Sequence, residues 1–160
     1  MIYRLLEMLS MQEKYDNKVF EVHPGKFDLE KARIALIDEL GEVTHELKGN
    51  WCWWKFTQPP VDQDKVLEEL ADVWHFVLMI QYHNAPYIDK FFNKAVFEKI
   101  HNDATSTELH KIISRLISTD TLSVYFALML TYKLGFTFDE IYEAYKSKHK
   151  VNYERLGNGY

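Results

Sequence analysis

The sequence predicts an all-α fold, a helical bundle of about six or seven helices built round an antiparallel pair of acidic helices. No stretch of the chain keeps the alternation of apolar and polar residues that marks a half-buried strand. Glycine and proline, which mark turns in β-rich chains, number only 6 and 4 among 160 residues. Apolar residues instead recur every three or four positions, as they do along one face of a helix.

Breaks in this periodicity divide the chain into predicted helices. Pro24-Gly25 and Ala85-Pro86 interrupt the apolar pattern, and Gly135 follows its last long apolar run. The first predicted helix ends at about residue 17. The following ones cover about 28–48, 62–83, 87–100, 109–117, 121–134 and 138–150.

Residues suited to capping mark the starts of the second and third predicted helices and the end of the second. Asp28 is a good N-cap for the second helix, and Asp62 or Asp64 for the third. Gly49 can take the left-handed conformation that ends the second helix.

Two capping-box patterns occur in the second half of the chain. Thr137-x-x-Glu140 begins the last helix. Thr105-x-x-Glu108 is a candidate capping box that starts within a predicted polar loop over residues 101–106 and precedes the helix over 109–117. The helix before the last carries apolar residues on most sides, which predicts burial in the core or at a subunit interface.

Length and composition predict one domain, residues 1–160, with a sizeable core, because 47% of the residues are hydrophobic and 15% aromatic. A net charge of −5 without a polybasic run argues against a nucleic-acid partner. The single cysteine, Cys52, excludes an intrachain disulfide and favours a reducing, cytoplasmic environment. No run approaches the ~18 apolar residues of a membrane span, so no membrane partner is expected, and Arg4 and Glu7 make the start unlike a signal peptide.

Carboxylates line one face of the second predicted helix. Glu39, Glu42 and Glu46 are spaced by three, four and seven residues. Like charges at such spacings destabilise a helix by roughly 0.2–0.5 kcal/mol per pair. The pattern returns 30 residues later as Glu69 and Asp72. Antiparallel packing of the two helices would join their acidic rims into an oxygen-only site that suits Mg²⁺, Mn²⁺ or Ca²⁺.

The tryptophan-rich stretch after the second helix has two interpretations. Trp51, Trp53 and Trp54 can pack in the core or an interface, or they can form a stacking wall for a base, with Lys55 beside a phosphate. Both remain open on sequence grounds.

Several polar residues favour ordinary structural roles when taken alone. Gln12 and Asp16, four residues apart, are interpreted as a solvated side of the first helix. His75 and His83 lie on the third helix and are more often satisfied histidines than ligands or bases. The basic segment 146–160 is interpreted as a solvated tail unless a ligand gives it a role.

The ordered motifs resemble a known family. Glu39-x-x-Glu42 followed by Glu69-x-x-Asp72 looks like the signature of the all-α nucleoside triphosphate pyrophosphatases of the MazG-like superfamily. Further motifs resemble those of the dimeric dUTPases of phages, some bacteria and trypanosomatids, over nearly the whole chain. Those motifs are Trp53-Trp54-Lys55, His75-Phe76 and Lys148-x-x-x-Asn152-x-x-Arg155.

The resemblance implies a role for each matched position, with Glu39 as the catalytic residue that orients and deprotonates the attacking water. The implied Mg²⁺ (or Mn²⁺) ligands are Glu39, Glu42, Glu69 and Asp72. The implied phosphate-binding residues are Lys55, Lys148 and Arg155. The implied nucleoside-binding residues are Gln12, Trp51, Trp54, Phe76 and Asn152.

The resemblance implies a Mg²⁺-dependent dUTP diphosphatase that yields dUMP and pyrophosphate, acts as a homodimer and uses residues 146–160 as a mobile phosphate-binding segment. Two alternatives stay open. One is a pyrophosphatase for another nucleotide, such as dCTP or a damaged triphosphate. The other is a non-catalytic helical interaction or regulatory protein on the same fold, although the four filled acidic positions argue against loss of catalysis.

Overall fold

The computed structural model describes residues 1–85, 87–119 and 121–159, and these residues contain nine α-helices and no strand. The all-α prediction is therefore confirmed. The helices are α1 (Ile2–Val22), α2 (Leu29–Glu46), α3 (Lys48–Trp51), α4 (Gln63–Asn84), α5 (Ile88–Phe91), α6 (Lys94–Ser106), α7 (Leu109–Ser118), α8 (Ser123–Lys133) and α9 (Phe138–Gly157).

Helix α4 lies at the centre of the bundle and packs against α1, α2, α8 and α9. Trp74, at its middle, is fully buried, and its Nε1–H donates to Thr131 Oγ1 of α8 at 3.1 Å. Each large apolar side chain buried in this way contributes about 1.5–3 kcal/mol. Within the described ranges, no helix is long and apolar enough to cross a membrane.

Helices α2 and α4 pack antiparallel, as the sequence predicts. Glu39 interacts electrostatically with Asp72, whereas Glu42, one turn later in α2, lies beside Glu69, one turn earlier in α4. The chain directions are therefore opposed. Buried leucines and valines of both helices fill the space beneath these carboxylates, so the acidic groups lie at the rim of the core.

Local capping signals are confirmed at three helix starts. The Asp28 carboxylate accepts from the Glu30 N–H at 2.9 Å, and Asp62, rather than Asp64, caps α4. Thr137 and Glu140 form a complete capping box at the start of α9. An N-cap side chain contributes about 1 kcal/mol, and these bonds therefore fix where the helices begin.

The first and last helices are longer than the sequence predicts. Helix α1 continues past Asn17 because Phe20 packs its ring 4.8 Å from that of Phe27 and 5.9 Å from that of His83. Helix α9 continues past Lys150 to Gly157, so most of the segment predicted to be a mobile tail is helical.

The prediction of one helix over 87–100 followed by a polar loop is wrong. Asn93 accepts from the Val96 N–H at 3.1 Å and starts a new helix, α6, which leaves α5 as a single turn. Residues 101–106 belong to α6, where Asp103 bonds both Lys99 and Tyr125 of α8. The candidate capping box at 105–108 is absent, since Glu108 is the N-cap of α7 without a side-chain cap bond.

The predicted helix ends at Gly49 and before Pro86 have different outcomes. Gly49 does not end α2 in a left-handed conformation, because α2 ends at Glu46 and Gly49 lies in the short helix α3. A Cβ at this position would lie 3.0 Å from the carbonyl oxygen of Pro59, so the glycine permits a close approach of the following loop. Helix α4 ends at Asn84 as predicted, while Pro86 lies outside the described residues.

Two glycine substitutions test this packing. Gly41→Ala should raise the unfolding free energy by up to about 1 kcal/mol, because alanine favours the helix and nothing lies within 4 Å of the added Cβ. Gly49→Ala should lose this gain or destabilise the fold, because of the contact with Pro59. Urea unfolding followed by circular dichroism compares the two, and equal gains would contradict the close approach.

Candidate active site

Carboxylates converge along the contact between α2 and α4. Glu39, Glu69 and Asp72 each offer one oxygen, and these three atoms lie within 4.8 Å of one another. Glu42 lies at their edge, close enough to Glu69 for the two carboxyl groups to share a proton, and is itself exposed. Glu46 lines a neighbouring cleft instead. The structure thus brings together the four positions predicted as metal ligands, three of them in a tight cluster.

The crowding of these groups changes their acidity. Burial, followed by the charges of Asp72 and Glu42, raises the pKa of Glu39 to about 7. Burial and the hydrogen bond with Glu42 raise the pKa of Glu69 to about 6. Burial also raises the pKa of Asp72, although the Lys148 ammonium opposes that change. An oxygen-only donor set with incompletely balanced negative charge fits a hard divalent cation.

The cluster forms one end of a cavity of about 530 Å³ between α1, α2, α4 and α9. The lining combines carboxylates, cationic groups, amides and apolar groups in one enclosure. Its residues are Gln12, Tyr15, Glu39, Glu42, Glu69, Asp72, His75, Phe76, Met79, Lys148, Asn152, Arg155 and Leu156.

Cationic groups reach the cavity from α9. Lys148, Asn152 and Arg155 are spaced by four and three residues, so the continuous helix presents them on one face. Lys148 Nζ lies 2.7 Å from Asp72 Oδ2 and 3.1 Å from Glu68 Oε1. The predicted phosphate-binding residues of the last helix therefore face the acidic cluster.

The other end of the cavity is a buried polar network. Gln12 and Asp16 are each only 1% exposed, so the interpretation of these residues as a solvated side of α1 is wrong. The Nε2–H of Gln12 donates to Asp16 Oδ1 at 2.7 Å, and its Oε1 accepts from the Tyr145 hydroxyl at 2.9 Å. The same Oε1 lies 2.8 Å from His75 Nδ1, which must therefore carry a proton.

His75 is held neutral in this network. Burial, reinforced by the nearby His149 and Lys148, lowers its pKa to about 3. Its ring stacks on Tyr145, with centroids 4.4 Å apart. His83, by contrast, packs against Phe27 at 4.4 Å and does not line the cavity, as expected of a structural histidine.

The tryptophan stretch does not line this cavity. Trp51 lies beside a separate groove, and its Nε1–H donates to the Thr44 carbonyl at 2.7 Å. Trp54 packs against Trp51 but is 55% exposed, and Lys55 is also exposed. Of the predicted nucleoside-binding residues, Gln12, Phe76 and Asn152 line the cavity; the roles of Trp51, Trp54 and Lys55 remain predictions.

Sequence reasoning missed several residues that surround the site. Glu68 pairs with Lys148. The rings of Tyr145 and His149 stack with that of His75 in the polar network. The spacing of Tyr145, His149 and Asn152 by four and three residues was an available signal, because it puts all three on one face of α9.

A known protein family matches the chain over almost its whole length. The family whose model matches the chain is described as dUTPase, and the match covers residues 4–160. No curated protein gives a significant match. Because the family match spans almost the whole chain, including every residue of the cavity, the protein belongs to the all-α dUTPase family, and its reaction is the hydrolysis of dUTP.

Proposed function

We propose that the cavity between α1, α2, α4 and α9 is the catalytic centre of a Mg²⁺-dependent dUTP diphosphatase that releases dUMP and pyrophosphate. The observation that carries this proposal is the convergence of three carboxylate oxygens within 4.8 Å of one another, opposite cationic side chains of α9. Phosphoanhydride hydrolysis needs charge neutralisation and a positioned water, with little covalent work by the protein.

The acidic end supplies the metal ligands in this proposal. Glu39, Glu42, Glu69 and Asp72 would hold the cation, which when bound supplies charge neutralisation for the triphosphate. The all-oxygen donor set supports this assignment, and burial, followed by the neighbouring carboxylates, raises the pKa values of Glu39 and Glu69 within it.

Glu39 is the proposed general base. Its carboxylate lines the cavity, and a pKa raised to about 7 by burial and neighbouring charge suits proton transfer near neutral pH. It would orient the attacking water and accept its proton. Glu69 and Asp72, on the opposite helix, would fix the position of Glu39 relative to the phosphate chain.

Lys148 and Arg155 are the proposed phosphate-binding residues. Lys148 forms ion pairs with Asp72 and Glu68. Its ammonium group can exchange these partners for phosphate oxygens that enter the cavity. Arg155 lines the same cavity a further two turns along α9. Together they would stabilise the charge that develops on the pyrophosphate leaving group. The end of α9 would thus act with the rest of the chain as one catalytic domain.

The nucleoside would occupy the polar end of the cavity. Gln12 lines it from α1, Phe76 supplies an apolar wall suited to a deoxyribose, and Asn152 lines the same cavity from α9. A contribution from Trp51 or Trp54 would require movement of α3 and the loop that follows it.

We further propose that the protein acts as a homodimer. Most apolar residues of α8 are covered by α4, α6 and α7 within one chain, so they are not available to a partner. A groove lined by Leu47, Trp51, Leu109, Ile113 and Ile117 supports the proposal, because it leaves apolar surface open between α2, α3 and α7.

Metal binding should depend on pH. The raised pKa values of Glu39 and Glu69 mean that, without a cation, their ionisation lowers folding stability as the pH rises from about 4.5 to about 7. Millimolar Mg²⁺ should therefore raise the melting temperature more at about pH 8 than at about pH 5, where protons compete. Thermal melts in Mg²⁺ and in EDTA measure the difference. Identical melting temperatures at the higher pH would refute the metal site.

Glu39→Gln should keep the fold and remove the base. Turnover of dUTP to dUMP and pyrophosphate should fall on the order of 10²-fold or more, with unchanged circular dichroism. Glu46→Gln is the matched control, since it removes a carboxylate of the same helix that does not line the cavity. Near-normal pyrophosphate release by the Glu39 variant would assign the base role to another carboxylate.

Lys148→Met should affect metal binding and turnover in opposite directions. Removing an ammonium 2.7 Å from Asp72 should tighten Mg²⁺ binding severalfold, because a competing positive charge is lost. Turnover should nevertheless fall at least about tenfold, because the leaving group loses a cationic partner. Calorimetric Mg²⁺ titration and steady-state assays measure both, with the exposed Lys150→Met as control. If both quantities fall together, Lys148 supports the metal site rather than the phosphates.

A further inference from the structure

We propose that Asp16 is a positioning residue that fixes the Gln12 side-chain amide so that only an N–H faces the base, which selects the 4-carbonyl of uracil against the 4-amino group of cytosine. The inference rests on the proposed nucleoside-binding role of Gln12. It concerns a residue that does not itself line the cavity and that reaches the substrate only through Gln12.

The hydrogen bonds of Gln12 leave one position for a ligand. Its Oε1 accepts from the Tyr145 hydroxyl and from His75 Nδ1, which fills both lone pairs of that oxygen. One of the two Nε2 hydrogens is donated to Asp16 Oδ1 at 2.7 Å. The remaining hydrogen-bonding capacity of this amide is therefore a single N–H donor, and Gln12 lines the cavity.

Tyr145 and His75 do not determine this orientation. The Tyr145 hydroxyl has a second acceptor, the Met8 carbonyl oxygen at 3.3 Å, so it can turn its proton there and accept from a reversed amide. A neutral His75 can move its proton to Nε2, a buried atom without a hydrogen-bond partner among the described residues, and then accept at Nδ1. Both groups are compatible with either orientation of Gln12.

An ionised Asp16 is compatible with only one orientation. A carboxylate has no proton to donate, so it must face the Nε2–H₂ group and would repel Oε1. Asp16 is 1% exposed, and its Oδ2 has no hydrogen-bond partner within the described part of the chain, so a wrongly turned amide would leave a buried charge without any bond. Asp16 therefore decides which atom of Gln12 faces the ligand.

The 4-position is where a fixed donor is useful. Uracil has a carbonyl there and cytosine an amino group, whereas the carbonyl at the 2-position is common to both bases. An N–H held toward the 4-position bonds uracil and meets a second donor in cytosine. Sites that leave a buried donor unpaired in this way reject the wrong ligand strongly.

The test compares kcat/KM for dUTP and dCTP in four variants. Burial raises the pKa of Asp16 to about 7, so the assays are run at about pH 8.5, where the carboxylate is ionised. Asp16→Asn keeps the shape but can present either a donor or an acceptor to Gln12. The dUTP to dCTP ratio should fall at least about tenfold in this variant and in Gln12→Ala. Glu13→Gln, which removes a charge from the same helix outside the cavity, should keep the ratio.

Tyr145→Phe separates the proposal from general damage to the network. This variant removes one hydrogen bond of the same amide but keeps Asp16, so the ratio should stay within about threefold of that of the unmodified protein. A ratio lowered as far as in Gln12→Ala would overturn the proposal, even if Asp16→Asn did not fold. A folded Asp16→Asn with an unchanged ratio would also overturn it. If Gln12→Ala keeps the ratio, the proposed nucleoside-binding role of Gln12 fails as well.

Discussion

The antiparallel contact of α2 and α4 is the constraint on which the rest of the structure depends. Their apolar stripes bury leucines and valines in one core, and this packing forces the carboxylates at its rim into proximity. Taken alone, three half-buried carboxylate oxygens within 4.8 Å of one another would destabilise the fold by their mutual repulsion. Apolar burial is large enough to hold them there, because each buried leucine contributes about 1.5–3 kcal/mol. Core packing thus maintains a local charge density that a cation or phosphate-bound metal can use.

A second constraint lies at the opposite end of the cavity, where polar groups are buried rather than crowded at a rim. Gln12, Asp16 and His75 are each at most 5% exposed, so their hydrogen bonds must come from the protein. An unmade bond here costs about 1–3 kcal/mol, and the Gln12 amide avoids this cost by bonding Asp16, His75 and Tyr145 within the protein. Charge therefore dominates the acidic end of the cavity, whereas directional hydrogen bonds dominate the polar end.

The parts of the site that follow from helical periodicity could be predicted from the sequence. The 3- and 4-residue spacing of Glu39 and Glu42, and its return at Glu69 and Asp72, determines which side chains share a face whatever the tertiary contacts are. Capping is similarly local, and the predicted capping box of Thr137 and Glu140 is present at the start of α9. The reaction is inferred from the family motifs, because helical periodicity alone does not indicate a substrate.

The parts that depend on long-range contacts could not be predicted in this way. The burial of Asp16 depends on α4 and α9 covering one side of α1, and nothing in the sequence around it indicates this. The extension of α1 depends on Phe20 meeting Phe27 and His83 from two other segments. The Asn93 cap is local, but the apolar residues on both sides of it favour one continuous helix in the sequence.

Helix α9 connects the two ends of the cavity. Tyr145, His149 and Asn152 lie one turn apart along the polar network, and Lys148 and Arg155 lie on the adjoining strip that faces the carboxylates. A straight helix rises 1.5 Å per residue, so these groups span about 15 Å in one rigid element. One helix therefore sets the relative positions of the proposed base-recognising and phosphate-binding groups. In the proposed site, a base that does not fit the polar end would also misplace the phosphates relative to Lys148 and Arg155, because one helix carries both sets of groups.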